Sequence, residues 1–178
     1  MALMGIRRFG DPVLRERAGE VATFDEALAR LADDMLETMR AASGVGLAAN
    51  QVGVLKRLFT WDGGEGEHGA AVNPVILETS EEVQEGDEGC LSFPGLFYPN
   101  TRPLRARIRA ADVHGEEREL IGEGLLARVF LHEIDHLNGI LFIDHLARHD
   151  RKDAMRRIRS GELERPGAPG AHAGEPAL

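Results

Sequence analysis

Cysteine is nearly missing from this chain: Cys90 is its one thiol. No internal disulfide can form, a reducing compartment is the simplest setting, and the thiol is left for packing, metal binding or catalysis. Lysine is almost as scarce. Of 21 basic residues only Lys56 and Lys152 are lysine, and the 19 arginines are scattered along the chain, which reads as a composition bias. Positive charge is in deficit too, since 30 acidic residues bring the formal charge to −9. That argues against a domain held to nucleic acid by a general positive field, and leaves a local basic patch open. No apolar run reaches the roughly 18 residues of a membrane helix, so no membrane partner is expected. Met1–Arg8 has no apolar stretch behind its charges and does not read as a secretory signal. Internal repeats are lacking as well. What is there is 178 residues, 43% hydrophobic and 29% charged, the composition of one globular domain.

Apolar spacing predicts an amphipathic helix over Thr23–Ala42, carried by Leu28, Leu31, Met35 and Met39. Thr23 and Glu26 resemble a capping box, and Ser43-Gly44 a stop. Strands are expected at Val54–Trp61 and Ala70–Leu77, with 62–67 a loop and Pro74 favouring an edge or a break. The prolines and glycines of 80–103 imply an extended, irregular path. A hairpin follows over Leu104–Val113 and Arg118–Ile121, turning at His114-Gly115. A second helix is expected from Glu123 to Asn138, with Gly139 as its cap, and a basic third helix over 147–160. Strands around one central helix imply an α+β fold. A single domain is expected over residues 1–160. The Gly-, Pro- and Ala-rich tail 161–178 has no apolar periodicity and is expected to be disordered.

The sharpest chemical signal is His132-Glu133-Ile134-Asp135-His136, inside the second helix. Four residues advance a helix by about 400°, so the two imidazoles sit about 40° apart on one face, one turn from each other. Both can reach one metal ion while Glu133, on the adjoining flank, faces a water beside it. A catalytic metal of this kind usually takes a third protein ligand. Phe142 stands where a metzincin would place a histidine, His145 lies past the expected helix end, and Glu162 and Glu164 fall near the tail. Cys90, in Glu88-Gly89-Cys90-Leu91-Ser92, is the remaining soft donor, although a lone cysteine is more often a small buried hydrophobe. A Cys-His-His site would suit zinc or ferrous iron. The third stretch, Gly44-Val45-Gly46-Leu47-Ala48-Ala49-Asn50-Gln51, lacks the dinucleotide-loop spacing and follows a helix; alone it reads as a glycine cap and a close crossing.

Together the three stretches resemble peptide deformylases, which carry Gly-x-Gly-x-Ala-Ala-x-Gln, Glu-Gly-Cys-x-Ser and His-Glu-x-x-Asp-His in this order. Arg8–Arg15 also resembles the family's opening segment, so the similarity spans roughly residues 5–146. The resemblance implies an α+β fold with antiparallel strands around the motif helix. It implies Cys90, His132 and His136 as metal ligands and Glu133 as general base and acid. By the same matching, the Gln51 side chain and the Leu91 N–H bind the developing oxyanion. Fe(II) is the favoured metal, with Zn, Ni or Co as substitutes. The substrate implied is an N-formylmethionyl nascent polypeptide, hydrolysed to formate and a free N-terminus in the cytoplasm. Gly44, Val45 and Gly46 would offer main-chain hydrogen bonds to an extended substrate, and Leu125 and Val129 an apolar pocket for its methionine. Two positions depart from the family pattern: Leu131 replaces a usual glutamine, and Phe97 stands near a place where some members carry a substrate-binding arginine.

Asp135 is read as a partner orienting a ligand or a nearby arginine, or else as a surface ion pair. The basic helix 147–160 is a candidate for ribosomal RNA contact or a solvated face. A metallopeptidase cutting internal peptide bonds, and a metal module without catalysis, are the competing functions.

Overall fold

The computed structural model describes residues 2–164 and 178. Helix α1 runs over Glu26–Ala41 and buries Leu28, Ala32, Met35 and Met39. Its cap is Asp25 rather than the expected Thr23, because the Asp25 carboxylate accepts from the Leu28 N–H at 2.9 Å. Strand β1 (Gly46–Ala48) and a 3-10 turn (Ala49–Val52) follow, with β2 at Leu58–Gly64 and β3 at Glu67–Thr79. The expected loop at 62–67 is thus mostly strand, closed by a tight turn at Glu65-Gly66. Pro74 does mark a break: the β3–β6 register shifts between Val72 and Val75, where a residue without an N–H costs the ladder nothing.

Residues 80–103 depart from expectation. They form strands β4 (Val83–Gly89) and β5 (Phe97–Pro103), paired antiparallel from Val83↔Pro103 to Gly89↔Phe97. Among the described residues this sheet has two strands, so both are edges and the prolines interrupt no further ladder there. Strands β6 (Arg105–Ala111) and β7 (Glu117–Glu123) make the expected hairpin. The larger sheet has the order β1-β2-β3-β6-β7, antiparallel throughout, with β1 at one edge.

Alternation along the strands builds two cores. Leu47, Leu58 and Val72 face α1 with Leu28, Met35 and Met39. Their neighbours Ala48, Phe59, Trp61 and Ala71 face helix α2 (Leu125–Leu137), where they meet Val129, Phe130, Ile134 and Leu137. Burial of Phe59 and Phe130 stabilises this layer by about 1.5–3 kcal/mol each. Helix α2 therefore sits between the two sheets, the α+β arrangement expected. Gly139, with φ 75°, closes it just beyond the Asn138 cap.

A third cluster joins the N-terminal segment, the loop after β4 and helix α3 (Arg148–Arg159) through Leu14, Cys90, Phe93, Phe142 and Ala154. The expected disordered tail differs at its start: Glu162–Glu164 form a 3-10 turn, and Leu163 packs into this third cluster. Positions 165–177 lie outside the described residues. Leu178 is described, and it is buried.

Candidate metal centre

Helix α2 presents His132 and His136 on one face, and both are 1% exposed. Cys90 arrives from the loop that closes β4, also buried. Its Sγ lies 3.2 Å from His136 Nε2, which is itself 3.2 Å from His132 Nε2. All three donor atoms fall within 4.8 Å of one another. The sequence left several residues open as the third donor. Of these, His145 is turned onto Asp135 at 2.8 Å, and Glu162 onto Arg157 and Ser160.

The tautomer of His132 is fixed from behind. Its Nδ1 is 2.7 Å from a Glu88 carboxylate oxygen, so Nδ1 donates and the Nε2 lone pair faces Cys90 and His136. Glu88 is fully buried and also accepts from Asn100, Arg102 and Arg128 at 2.7–3.0 Å. Burial alone would push its carboxyl up, but the His132 and Arg102 hydrogen bonds and the Arg102 charge hold it well below the usual carboxylate range. Arg102 continues to Asp135 at 2.7 Å, so Asp135 orients an arginine, one of the roles read for it in the sequence. Asn50 donates to the His136 carbonyl and fixes the helix at that turn.

These groups fit a divalent cation. Two imidazole nitrogens and a sulfur converge in a buried space; burial lowers His136, which keeps its ring neutral and able to ligate, and pushes the Cys90 thiol up, a shift that a bound divalent cation would oppose by favouring the thiolate. Glu133 stands on the adjoining flank, fully buried, and neither carboxylate oxygen makes a hydrogen bond. Burial first, then the Glu88 and Asp135 charges, push its carboxyl well up. Glycine at 46 is what admits it, since a Cβ there would overlap Glu133 Oε1.

Gln51 comes from the 3-10 turn. Its Oε1 accepts from Ala48 N–H at 2.8 Å, and its Nε2 points to Ser92 Oγ at 3.2 Å and Cys90 Sγ at 3.6 Å. The Leu91 N–H donates to the Leu178 main-chain oxygen at 2.7 Å. Gly44 lies against Leu91, and the Val45 carbonyl accepts from Asp62 N–H. Leu125 and Arg128 line a cavity of about 240 Å³ with Gly86, Asp87 and Leu178, while Val129 lies in the core cluster that contains Leu178. Leu131 is buried with Ala106 and Ala127, toward β6, so its departure from the family's glutamine adds apolar packing. Phe97 lies over Gly89, its partner in the β4–β5 ladder.

Sequence reasoning missed Arg102, Arg128, Asn50 and the role of Glu88. The pairing of β4 with β5 would have linked Glu88 to Arg102, since Glu88 lies two residues from the position opposite Asn100 and four from the position opposite Arg102, all on one face of the ladder.

Fold and site define an α+β protein carrying a buried one-cysteine, two-histidine ligand set on and beside its central helix. Residues 3–152 match the family described as polypeptide deformylase. The peptide deformylase of Acidothermus cellulolyticus is 53% identical over 91% of this chain and 89% of that protein. That of Parafrankia sp. (strain EAN1pec) is 49% identical over 91% and 88%. Among solved structures, the peptide deformylase of Thermus thermophilus superposes with a TM-score of 0.85 at 46% identity, covering 91% of this chain and 96% of that one. The Legionella pneumophila enzyme gives 0.84 at 41% identity, covering 93% and 100%. This chain belongs to the peptide deformylase family.

Proposed function

We propose that Glu133, Gln51 and the Leu91 N–H, set around a divalent cation held by Cys90, His132 and His136, carry out the deformylation that defines the family. The enzyme is a hydrolase that removes the N-formyl group from newly made polypeptides and releases formate. The observation that carries the assignment of roles is the convergence of three buried donors beside a carboxylate with no hydrogen-bond partner of its own. When bound, the cation supplies Lewis acidity toward water and a carbonyl oxygen.

Glu133 takes the proton from the attacking water and returns it to the leaving amine nitrogen, so the formamide C–N bond breaks without a free amide anion. Burial, which pushes its carboxyl up, favours the protonated form that it passes through between accepting and returning that proton. Gln51 Nε2 and the Leu91 N–H donate to the oxygen where charge develops. The Glu88 hydrogen bond holds His132 in its ligating tautomer. Among the described residues strand β1 pairs with β2 alone, and its other edge suits an extended peptide added along Gly44–Gly46. Leu125 and Val129 receive the first side chain. The family resemblance favours Fe(II), and a thiolate with two imidazoles also accepts Zn, Ni or Co. The metallopeptidase alternative is not favoured, since its third ligand would come from downstream of the helix and Cys90 comes from the loop after β4, upstream of it.

The test is formate release from a formyl-Met-Ala peptide by protein purified anaerobically and loaded separately with iron, zinc and nickel. Glu133→Ala is expected to keep its metal, measured by atomic absorption, and to lose formate release by about 10³-fold. Wild-type turnover by that variant would sink the assignment.

We also infer a cytoplasmic setting and contact with the ribosome through α3. Arg148, Lys152 and Arg159 are exposed on one face of that helix, and none has an ion-pair partner among the described residues. Arg151, Arg156 and Arg157 are neutralised by Asp144, Asp153 and Glu162. Salt-sensitive co-sedimentation with ribosomes should disappear when the three unpaired residues become glutamate. Unchanged pelleting would remove this contact from the reading.

A further inference from the structure

We propose that Leu178 docks in the substrate site of its own chain, so that a formylated peptide binds only by displacing it. Leu178 is 1% exposed. Its main-chain oxygen accepts from the Leu91 N–H at 2.7 Å, the donor assigned above to the reacting carbonyl. Leu178 borders the same cavity as Leu125 and Arg128, and its side chain joins the apolar cluster of Val129 and Val45. A main-chain acceptor on Leu91 and an apolar side chain, unbranched at Cβ, packed in the cluster of Val129 beside Leu125 are the two features by which a methionyl substrate would be held. Leucine reproduces both and offers no formyl group, so it occupies the site without reacting. Burial of such a side chain is favourable by only about 1.5–3 kcal/mol. The docked form is therefore in reach of displacement by substrate.

This inference rests on the roles given to Leu91, Leu125 and Val129, and its test separates the two. The full chain is compared with Leu178→Asp and Leu178→Met, the second keeping an apolar side chain of similar volume. Docking in roughly two thirds to nine tenths of the molecules would raise the apparent KM by about 3- to 10-fold. Leu178→Asp should lower KM for a formyl-Met-Ala peptide by that factor with kcat unchanged, and Leu178→Met should keep the wild-type KM. Amide hydrogen exchange at Leu91, read by NMR on the same proteins without peptide, should accelerate in Leu178→Asp and not in Leu178→Met. Equal exchange and equal KM in all three proteins would overturn the docking. Faster Leu91 exchange in Leu178→Asp, with no formate released by any of the three, would support the docking and overturn the catalytic roles.

Discussion

A single missing methyl group sets the position of Glu133. A Cβ on residue 46 would overlap the Glu133 Oε1 and come within 2.9 Å of its Cδ, so the carboxylate as a whole would have to swing away. At Gly44 a Cβ would meet the Leu91 Cδ1 at 2.6 Å, but that is the tip of a half-buried side chain that can turn aside. The two glycines thus look alike in sequence and differ in what they restrain. Gly46→Ala is expected to lower kcat/KM for formate release by about 100-fold, the equivalent of about 2.7 kcal/mol in the transition state. Gly44→Ala should cost about 10-fold or less. Steady-state kinetics on both variants, alongside thermal melts showing folded protein, checks this. Equal losses at the two positions would mean that Glu133 does not need the space at Gly46.

Among the elements, α2 was the most legible and the β4–β5 pair the least. The α2 reading rested on periodicity: Leu126, Val129, Phe130 and Leu137 repeat at helical spacing, and two histidines four residues apart share a face whatever the rest of the fold does. Such signals are local, so one sequence carries them. The β4–β5 strands hold Gly86, Gly89, Pro99 and Pro103, residues with low strand propensity, and they pair because an edge tolerates them. The same locality explains what went unseen at the site. Glu88 meets Arg102, Arg128 and His132 across 14, 40 and 44 residues. No spacing rule connects such partners, yet burying this carboxylate would be prohibitive without them. Arg102 and Arg128 looked like two of many scattered arginines for that reason. Cys90 was legible as a donor only in company, since the resemblance to a family joined it to the helix before the structure brought it within reach of His136.

At the scale of the whole molecule, the N-terminal segment, the turn after α2 and helix α3 are tied together by Asp144. Its carboxylate accepts from Arg15 at 3.2 Å, from Arg151 at 3.3 Å and from the Leu141 N–H at 3.0 Å. These three segments flank the third apolar cluster, in which Cys90 is buried, so the clamp supports the metal site without touching it. Partial burial pushes the Asp144 carboxyl up, but the Arg15 hydrogen bond, the Leu141 N–H and the arginine charges outweigh it, and the folded-state pKa lies below the ordinary value. A carboxylate with a depressed folded pKa contributes its full stability above the unfolded pKa of about 3.9, and loses it as pH falls through the folded value. Asp144→Asn keeps the size of the side chain and removes the charge. Discounted for its exposure to solvent, the lost pairing should lower stability by about 1–2 kcal/mol near pH 7, measured by urea unfolding of the metal-loaded protein. The same comparison at successively lower pH should show the deficit shrinking below about pH 4, where the unfolded chain's carboxylate takes up its proton, and vanishing only below the lowered folded value, where the folded carboxylate is protonated too and resembles the amide. A deficit that stayed constant across that range would mean that the hydrogen-bond geometry of Asp144, rather than its charge, holds the three segments together.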